Sequence, residues 1–222
     1  MYLHYALDSW FERDVRPRLQ GEAYLVRYAD DFICAFQHES DARRFQEVLR
    51  KRLDRYSLQL AEEKTKLLRF GRYAQRDNNQ LGNSPPATFD FLGFTHYCGR
   101  SRAGKFKLKR KTAKKKLRTK VQALKDWFRA NLTTPAIEVW STLNSKLRGH
   151  YQYYGINDNW PWLLKFRSIA RWLGYRWLRR RSQSTSLNRR RYRSYLAQHP
   201  IASPRHLVDL IVMARAQGGA VQ

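Results

Sequence analysis

Hydrophobic and polar positions change their period along this chain, and the period separates helix from strand. Over residues 2–14, Leu3, Leu7, Trp10 and Phe11 recur at helical spacing, and Pro17 marks the end. Two apolar runs follow, Tyr24-Leu25-Val26 and Phe32-Ile33-Cys34-Ala35-Phe36, separated by the polar step Tyr28-Ala29-Asp30-Asp31. That alternation predicts a β-hairpin over 24–36. Ser40 is suited to cap a helix running to about Tyr56, with Phe45, Leu49, Leu53 and Tyr56 on one face. Thr65 to Phe70 is expected as a short strand, and the Asn-, Gly- and Pro-rich residues 72–88 as a loop. Phe89 to Phe94 alternates and continues to Tyr97, which predicts a strand. Gly99 to Gly104 would turn it back into Phe106-Lys107-Leu108.

Beyond residue 110 the period is helical throughout. Thr112 to Arg129 is one predicted helix. Thr134 as cap and Pro135 in the first turn begin another, with Ile137, Trp140, Leu143, Leu147, Tyr151 and Tyr154 as its buried stripe. Residues 160–181 form a third, with Leu164, Ile169, Trp172, Leu173 and Trp177 expected inside. A shorter helix near Arg189–Ala197 and a tail after Pro204 complete the chain. The fold class expected is α+β: a mixed domain over 1–110 and an all-α domain over 111–222.

Charge narrows the function. The 222 residues carry 44 Lys and Arg against 18 Asp and Glu, a formal net charge of +26. Such an excess repels itself unless a polyanion is near, so nucleic acid is the expected partner. The charge does not sit on one amphipathic helix, and no apolar run approaches a membrane span. Aromatics make up 14% of the chain, which excludes a disordered basic tail. Cys34 and Cys98 offer no disulfide framework or zinc spacing, as suits a reducing compartment. Cys34, on an apolar strand, is expected to behave as a small buried hydrophobe.

Candidate chemistry concentrates in a few places. Asp30 and Asp31 at a hairpin tip suit a hard divalent cation, because Mg²⁺ takes oxygen ligands and is commonly held by one or two carboxylates plus substrate phosphates. From Arg100 to Lys120 there are twelve Lys or Arg and no acid. Without counter-charges such a helix face repels itself, so Lys109, Lys114, Lys116 and Lys120 are candidate phosphate contacts. A second cluster, Arg176, Arg179, Arg180, Arg181, Arg189, Arg190, Arg191 and Arg193, is interleaved with Trp177, Tyr192 and Tyr195. That pattern suits single-stranded or looped RNA. Of its aromatics, Trp172 and Trp177 are expected in the core. The segment Leu147 to Gly155, with Arg148, His150 and Tyr151, is predicted as a packed helix with one polar RNA-facing side. Lys64, next to Glu62 and Glu63, is by spacing alone a surface lysine.

Taken together, these motifs resemble the reverse transcriptase/maturase proteins encoded by group II introns. Tyr2 to Asp8 with Trp10-Phe11 resembles the palm helix before the catalytic hairpin, and Tyr28-Ala29-Asp30-Asp31 resembles that hairpin. Glu63-Lys64-Thr65 resembles the next palm motif, whose lysine is associated with the incoming nucleotide. Phe91-Leu92-Gly93-Phe94 resembles the primer-grip hairpin. Leu143-Asn144 through Gly155 resembles the maturase or thumb domain, and Arg179-Arg180-Arg181-Ser182-Gln183 its continuation. The resemblance implies a partial polymerase palm over 1–110 and a helical thumb/maturase domain over 111–222. It implies nucleotidyl transfer with two Mg²⁺ ions, Asp30 and Asp31 as ligands, and Tyr28 near the primer end. The implied partners are intron RNA, an RNA template and a DNA primer, in a cytoplasmic, bacterial ribonucleoprotein.

Members of that family carry fingers and a first palm strand with another metal-binding Asp ahead of the segment that resembles Tyr2 to Asp8. Asp8 and Asp14, on or beside the first helix, are not expected to replace it. The 222 residues are therefore expected to bind Mg²⁺ weakly and to lack polymerase activity alone, unless a second copy or a complementing N-terminal fragment supplies the missing half. A stand-alone RNA-binding maturase fragment and a decayed reading frame are the alternative expectations.

Overall fold

The computed structural model describes residues 2–74, 76, 79, 86–181, 187–205 and 208. The fold is mixed, with two small antiparallel sheets and a set of helices. Much of the 72–88 loop, Ser182, Gln183 and most of the tail lie outside the described residues. The chain divides into two compact units, Met1–Phe70 and Gly71–Gln222. Residue 110 falls inside the second unit, near the end of a strand.

In the first unit, two wide π-helical stretches, His4–Ser9 and Phe11–Val15, lead through the 3₁₀ turn Arg16–Arg18 to strands β1 (Ala23–Tyr28) and β2 (Asp31–Phe36). The strands pair antiparallel from Ala23↔Phe36 to Tyr28↔Asp31. Helix α1 (Glu39–Asp54) packs beneath them. Strand residues alternate between faces. Ala23, Leu25, Phe32, Cys34 and Phe36 therefore meet Leu7, Trp10, Phe11, Phe45, Leu49 and Leu53 in one core. Two polar anchors set its geometry. The buried Asp41 carboxylate accepts from the backbone N–H of Gln20 (3.0 Å) and Gly21 (3.2 Å), fixing the entry into β1. Arg52 donates to the Ala6 carbonyl at 3.2 Å and lies over the Trp10 and Tyr56 rings, tying α1 to the first helical stretch.

Two local expectations change here, and that for Cys34 does not. Residues 65–70 are not a strand, because no neighbouring strand among the described residues offers them a ladder. The side chain of Ser40 makes no capping bond, and α1 begins at Glu39, with His38 in the cap position two residues ahead of Ser40. The Cys34 thiol is half-buried by residue yet dry enough that burial pushes its pKa up to about 12, so it is an inert thiol.

In the second unit, β3 (Phe89–Phe91), β4 (Phe94–Arg100) and β5 (Phe106–Thr112) form a meander in the order β3-β4-β5. The run from Phe89 to Tyr97, read as one strand, breaks at Leu92-Gly93 into a tight hairpin. The helices are α2 (Lys114–Ala130), α3 (Ala136–Tyr154), α4 (Trp160–Arg181) and α5 (Arg189–Gln198). Leu117, Leu124, Phe128, Leu143, Leu147 and Leu163 sit in a shared core with Trp140 and Trp177. Each such side chain contributes about 1.5–3 kcal/mol relative to exposure. On α3 the inner stripe starts at Val139 (1% exposed), and Ile137 is outside. On α4 the stripe runs through Leu163, Phe166, Ala170, Leu173, Gly174 and Trp177. Leu164 and Trp172, expected inside, therefore face solvent.

Candidate functional site

The tip of the β1–β2 hairpin is a two-residue loop, Ala29-Asp30, between the paired Tyr28 and Asp31. Such loops favour glycine where φ is positive, yet Ala29 sits at φ 55. Left-handed backbone at a residue with a Cβ costs about 1–2 kcal/mol. Arg27 holds it there. One nitrogen donates to the Ala29 carbonyl at 2.8 Å, while two others donate to the Asp8 carboxylate at 2.7 and 2.5 Å. The bond from Arg27 keeps the Asp8 carboxyl below its ordinary range. Asp8 is thus a charged brace for the turn. The tip presents Tyr28, 65% exposed, with the exposed carboxylates of Asp30 and Asp31.

Neither carboxylate has a hydrogen bond or ion pair to its side chain among the described residues. Two free adjacent carboxylates suit one hard divalent cation that completes its shell with water and phosphate oxygens. A two-ion clamp needs more donors. Among the described residues no group of three or more His, Cys, Asp or Glu converges. The donor set present therefore fits part of such a centre.

Lys64 is exposed in a turn that follows α1, where Glu62 pairs with Arg50 at 3.4 Å. In the second unit, Phe91-Leu92-Gly93-Phe94 forms the β3–β4 turn, with Leu92 at φ 49 and Gly93 at φ 79. Two successive positive φ values match the twist of a hairpin. The C-terminal end of α3 secures it. Tyr153 donates its hydroxyl to the Leu92 carbonyl at 3.0 Å, and Phe94 packs on the rings of Tyr153 and Tyr154. A Cβ at Gly93 would come within 2.8 Å of the Tyr154 hydroxyl. Asn159 locks the neighbouring joint, accepting from the Thr112 N–H at 2.7 Å and donating to the Tyr154 carbonyl at 3.0 Å.

The basic candidates divide by position. Lys114, Lys116 and Lys120 are exposed on α2, and half-buried Lys109 lies on β5 across from Tyr97. Arg148, Arg179, Arg180, Arg189, Arg190 and Arg191 are exposed. Arg181 is occupied internally: its guanidinium lies 4.6 Å over Trp177 and donates to the Thr134 carbonyl. His150 and Tyr151, expected to face RNA, are buried because they share the inner face of α3 with Leu147 and Tyr154. The His150 ring packs 4.1 Å from Phe166, and the Tyr151 hydroxyl donates to the Ala202 carbonyl. The polar side of that segment belongs to Arg148 and Gln152 instead. Tyr192 is also buried, donating to the Arg171 carbonyl at 2.6 Å.

Residues 2–96 match the family model described as reverse transcriptase (RNA-dependent DNA polymerase). The match takes in the Asp30–Asp31 hairpin, Lys64 and the β3–β4 turn. Comparison with curated proteins finds no match for the chain. No helix among the described residues is long and apolar enough to cross a membrane.

Proposed function

We propose that this chain, with its reverse transcriptase domain over residues 2–96, serves a group II intron reverse transcriptase/maturase. In this reading the hairpin unit contributes to RNA-directed DNA synthesis, and the helical residues after 110 bind intron RNA. The observation that carries it is the pair of unpartnered carboxylates, Asp30 and Asp31, on a braced hairpin tip, in the same chain as helices rich in arginine. α4 and α5 together contain no Asp or Glu.

The chain's own residues then have distinct tasks. Arg27, held by Asp8, keeps the tip in its left-handed turn. Asp30 and Asp31 offer oxygen ligands, with Asp30 the better placed at the loop apex. A bound Mg²⁺ would supply charge stabilisation to the transferring phosphoryl group. Tyr28 lies near the primer end, Lys64 near the incoming nucleotide, and Phe91 to Phe94 hold the primer. Lys109, Lys114, Lys116, Lys120, Arg148, Arg179, Arg180 and Arg189 to Arg191 neutralise RNA phosphates.

A second reading is an RNA-binding module that aids intron folding without polymerising. It is favoured by the donor count: Asp8 is committed to Arg27, and among the described residues nothing else joins the hairpin carboxylates. Both readings require RNA binding dominated by counterion release. Affinity for a structured intron RNA is expected to fall about a thousandfold between 50 and 200 mM salt. Primer extension on an RNA template, with Asp30→Ala as the comparison, separates them. Mg²⁺-dependent extension lost in Asp30→Ala supports the first. RNA affinity within about twofold of wild type in that variant, without extension by either protein, supports the second. A shallow salt dependence overturns both.

A further inference from the structure

Helix α4 carries the same pair twice, a tryptophan followed four residues later by an arginine. The two pairs have opposite surroundings. Trp177 is 2% exposed, and Arg181 over its ring spends a donor on the Thr134 carbonyl. The indole N–H of Trp177 donates to the Asn131 carbonyl at 3.2 Å. That pair is a structural joint with its polar groups used. Trp172 is 50% exposed, with Arg176 lying 4.7 Å over its ring. Neither the Trp172 indole N–H nor the Arg176 guanidinium has a hydrogen-bond or ion-pair partner among the described residues.

The helix beneath Trp172 is anchored on both sides of it. Leu173 and Gly174 are buried, and a Cβ on Gly174 would strike Trp140 at 2.9 Å. The Arg171 carbonyl accepts from Tyr192, which seats α5 with Arg189, Arg190, Arg191 and Arg193 at this level of α4. A large flat side chain is thus held in solvent on a preorganised backbone. Around it are Arg171, Arg176 and Arg179, all exposed, and no acid on either helix. A protein partner with an acidic face would satisfy the charge but needs no flat ring beside it. An unpaired nucleobase needs both, since bases stack on aromatic faces while the flanking phosphates take arginine.

We propose that Trp172 and Arg176 form a stacking site for an unpaired base of single-stranded nucleic acid, with Arg171 and Arg179 taking the adjoining phosphates. This rests on the nucleic-acid binding in the function proposed above. It places the base-reading surface on the outer face of α4 rather than at Trp177, Tyr192 or Tyr195.

The experiment compares a fluorescein-labelled ten-nucleotide oligouridylate with an RNA duplex of equal length, using the full chain. Trp172→Ala is expected to weaken single-strand binding about tenfold and duplex binding less than about twofold. Trp172→Phe should keep most of the affinity. The salt slope should be unchanged in Trp172→Ala and shallower by about one ion in Arg176→Gln. As a check that does not depend on a variant folding, 5-iodouridine oligomers are photocrosslinked to the wild-type protein. The crosslinked peptide should contain Trp172. Equal single-strand affinity in folded Trp172→Ala, equal losses for single strand and duplex, or crosslinks only at other peptides would overturn the site and leave RNA binding standing. Wild-type protein that binds neither probe would overturn both this site and the function on which it rests.

Discussion

Ala29 stands where a glycine would be strain-free, and its positive φ is maintained by Arg27 and Asp8. Replacing it with glycine removes the Cβ penalty but adds unfolded-state freedom. Ala29→Gly is expected to raise stability by about 0.5–1 kcal/mol in urea unfolding. Arg27→Ala should lower it and loosen the tip. His150 is the other residue with a measurable cost. Burial, and secondly the charge of Lys120, push its imidazole down to about 4 from 6.5, and both ring nitrogens lack hydrogen-bond partners among the described residues. The folded chain refuses a proton that the unfolded chain takes up below pH 6.5. Stability is therefore full above that pH and is lost as pH falls through 4. The loss reaches about 3 kcal/mol, less for the part of the ring that solvent screens. In His150→Phe this acid limb should flatten, as read from thermal midpoints at pH 7.5, 5.5 and 4.5.

The joint between β5, the end of α3 and the start of α4 depends on one side chain. Asn159, 0% exposed, bonds to the Thr112 N–H, the Thr112 hydroxyl and the Tyr154 carbonyl. Asn159→Ala takes a partner from the Thr112 N–H and hydroxyl, while the Tyr154 carbonyl keeps the Ile156 N–H at 2.9 Å; the change is expected to cost about 2–3 kcal/mol, as a lower denaturant midpoint with unchanged slope. Nothing in the local pattern marked this residue, because Thr112, which takes most of its bonds, lies 47 positions away in the sequence. The elements themselves were more legible. The first hairpin, α1 and the long helices follow from apolar period, which reports burial directly. Helix phase was less so: α4 has apolar residues on more than one side, and Trp172 is as hydrophobic as Trp177. The inner stripe was decided by Gly174, where only the absence of a Cβ lets Trp140 approach. The Leu92-Gly93 turn was visible in the family resemblance but not in the alternation of Phe89, Phe91 and Phe94, which continues across it. Asp30, Asp31 and Tyr28 stood out by their flanks, and they lie at the hairpin tip. Their brace, Asp8 with Arg27, was missed because a surface acid and a strand arginine carry no joint signal.

A net charge of +26 acts on the entire chain. Self-repulsion opposes compaction and is relieved by screening. The thermal midpoint is expected to rise from 50 to 500 mM NaCl, and to rise further with RNA at constant low salt, since a ligand that binds the folded state stabilises it. A fall in midpoint across the salt series would show that the ion pairs Arg27–Asp8 and Lys107–Asp158 outweigh the repulsion. The hydroxyl of Tyr153 on the Leu92 carbonyl has a different consequence, one of timing. It joins positions 61 residues apart, and the Thr112–Asn159 bonds span 47. The β3–β4 hairpin is local and closes in microseconds, whereas these clasps wait on a long loop closure. During synthesis the turn therefore leaves the ribosome well before α3 does. Its aromatic strands stay uncovered until Tyr153 and Tyr154 arrive. In the second unit the aromatic cover of the sheet is therefore expected only once α3 has been made.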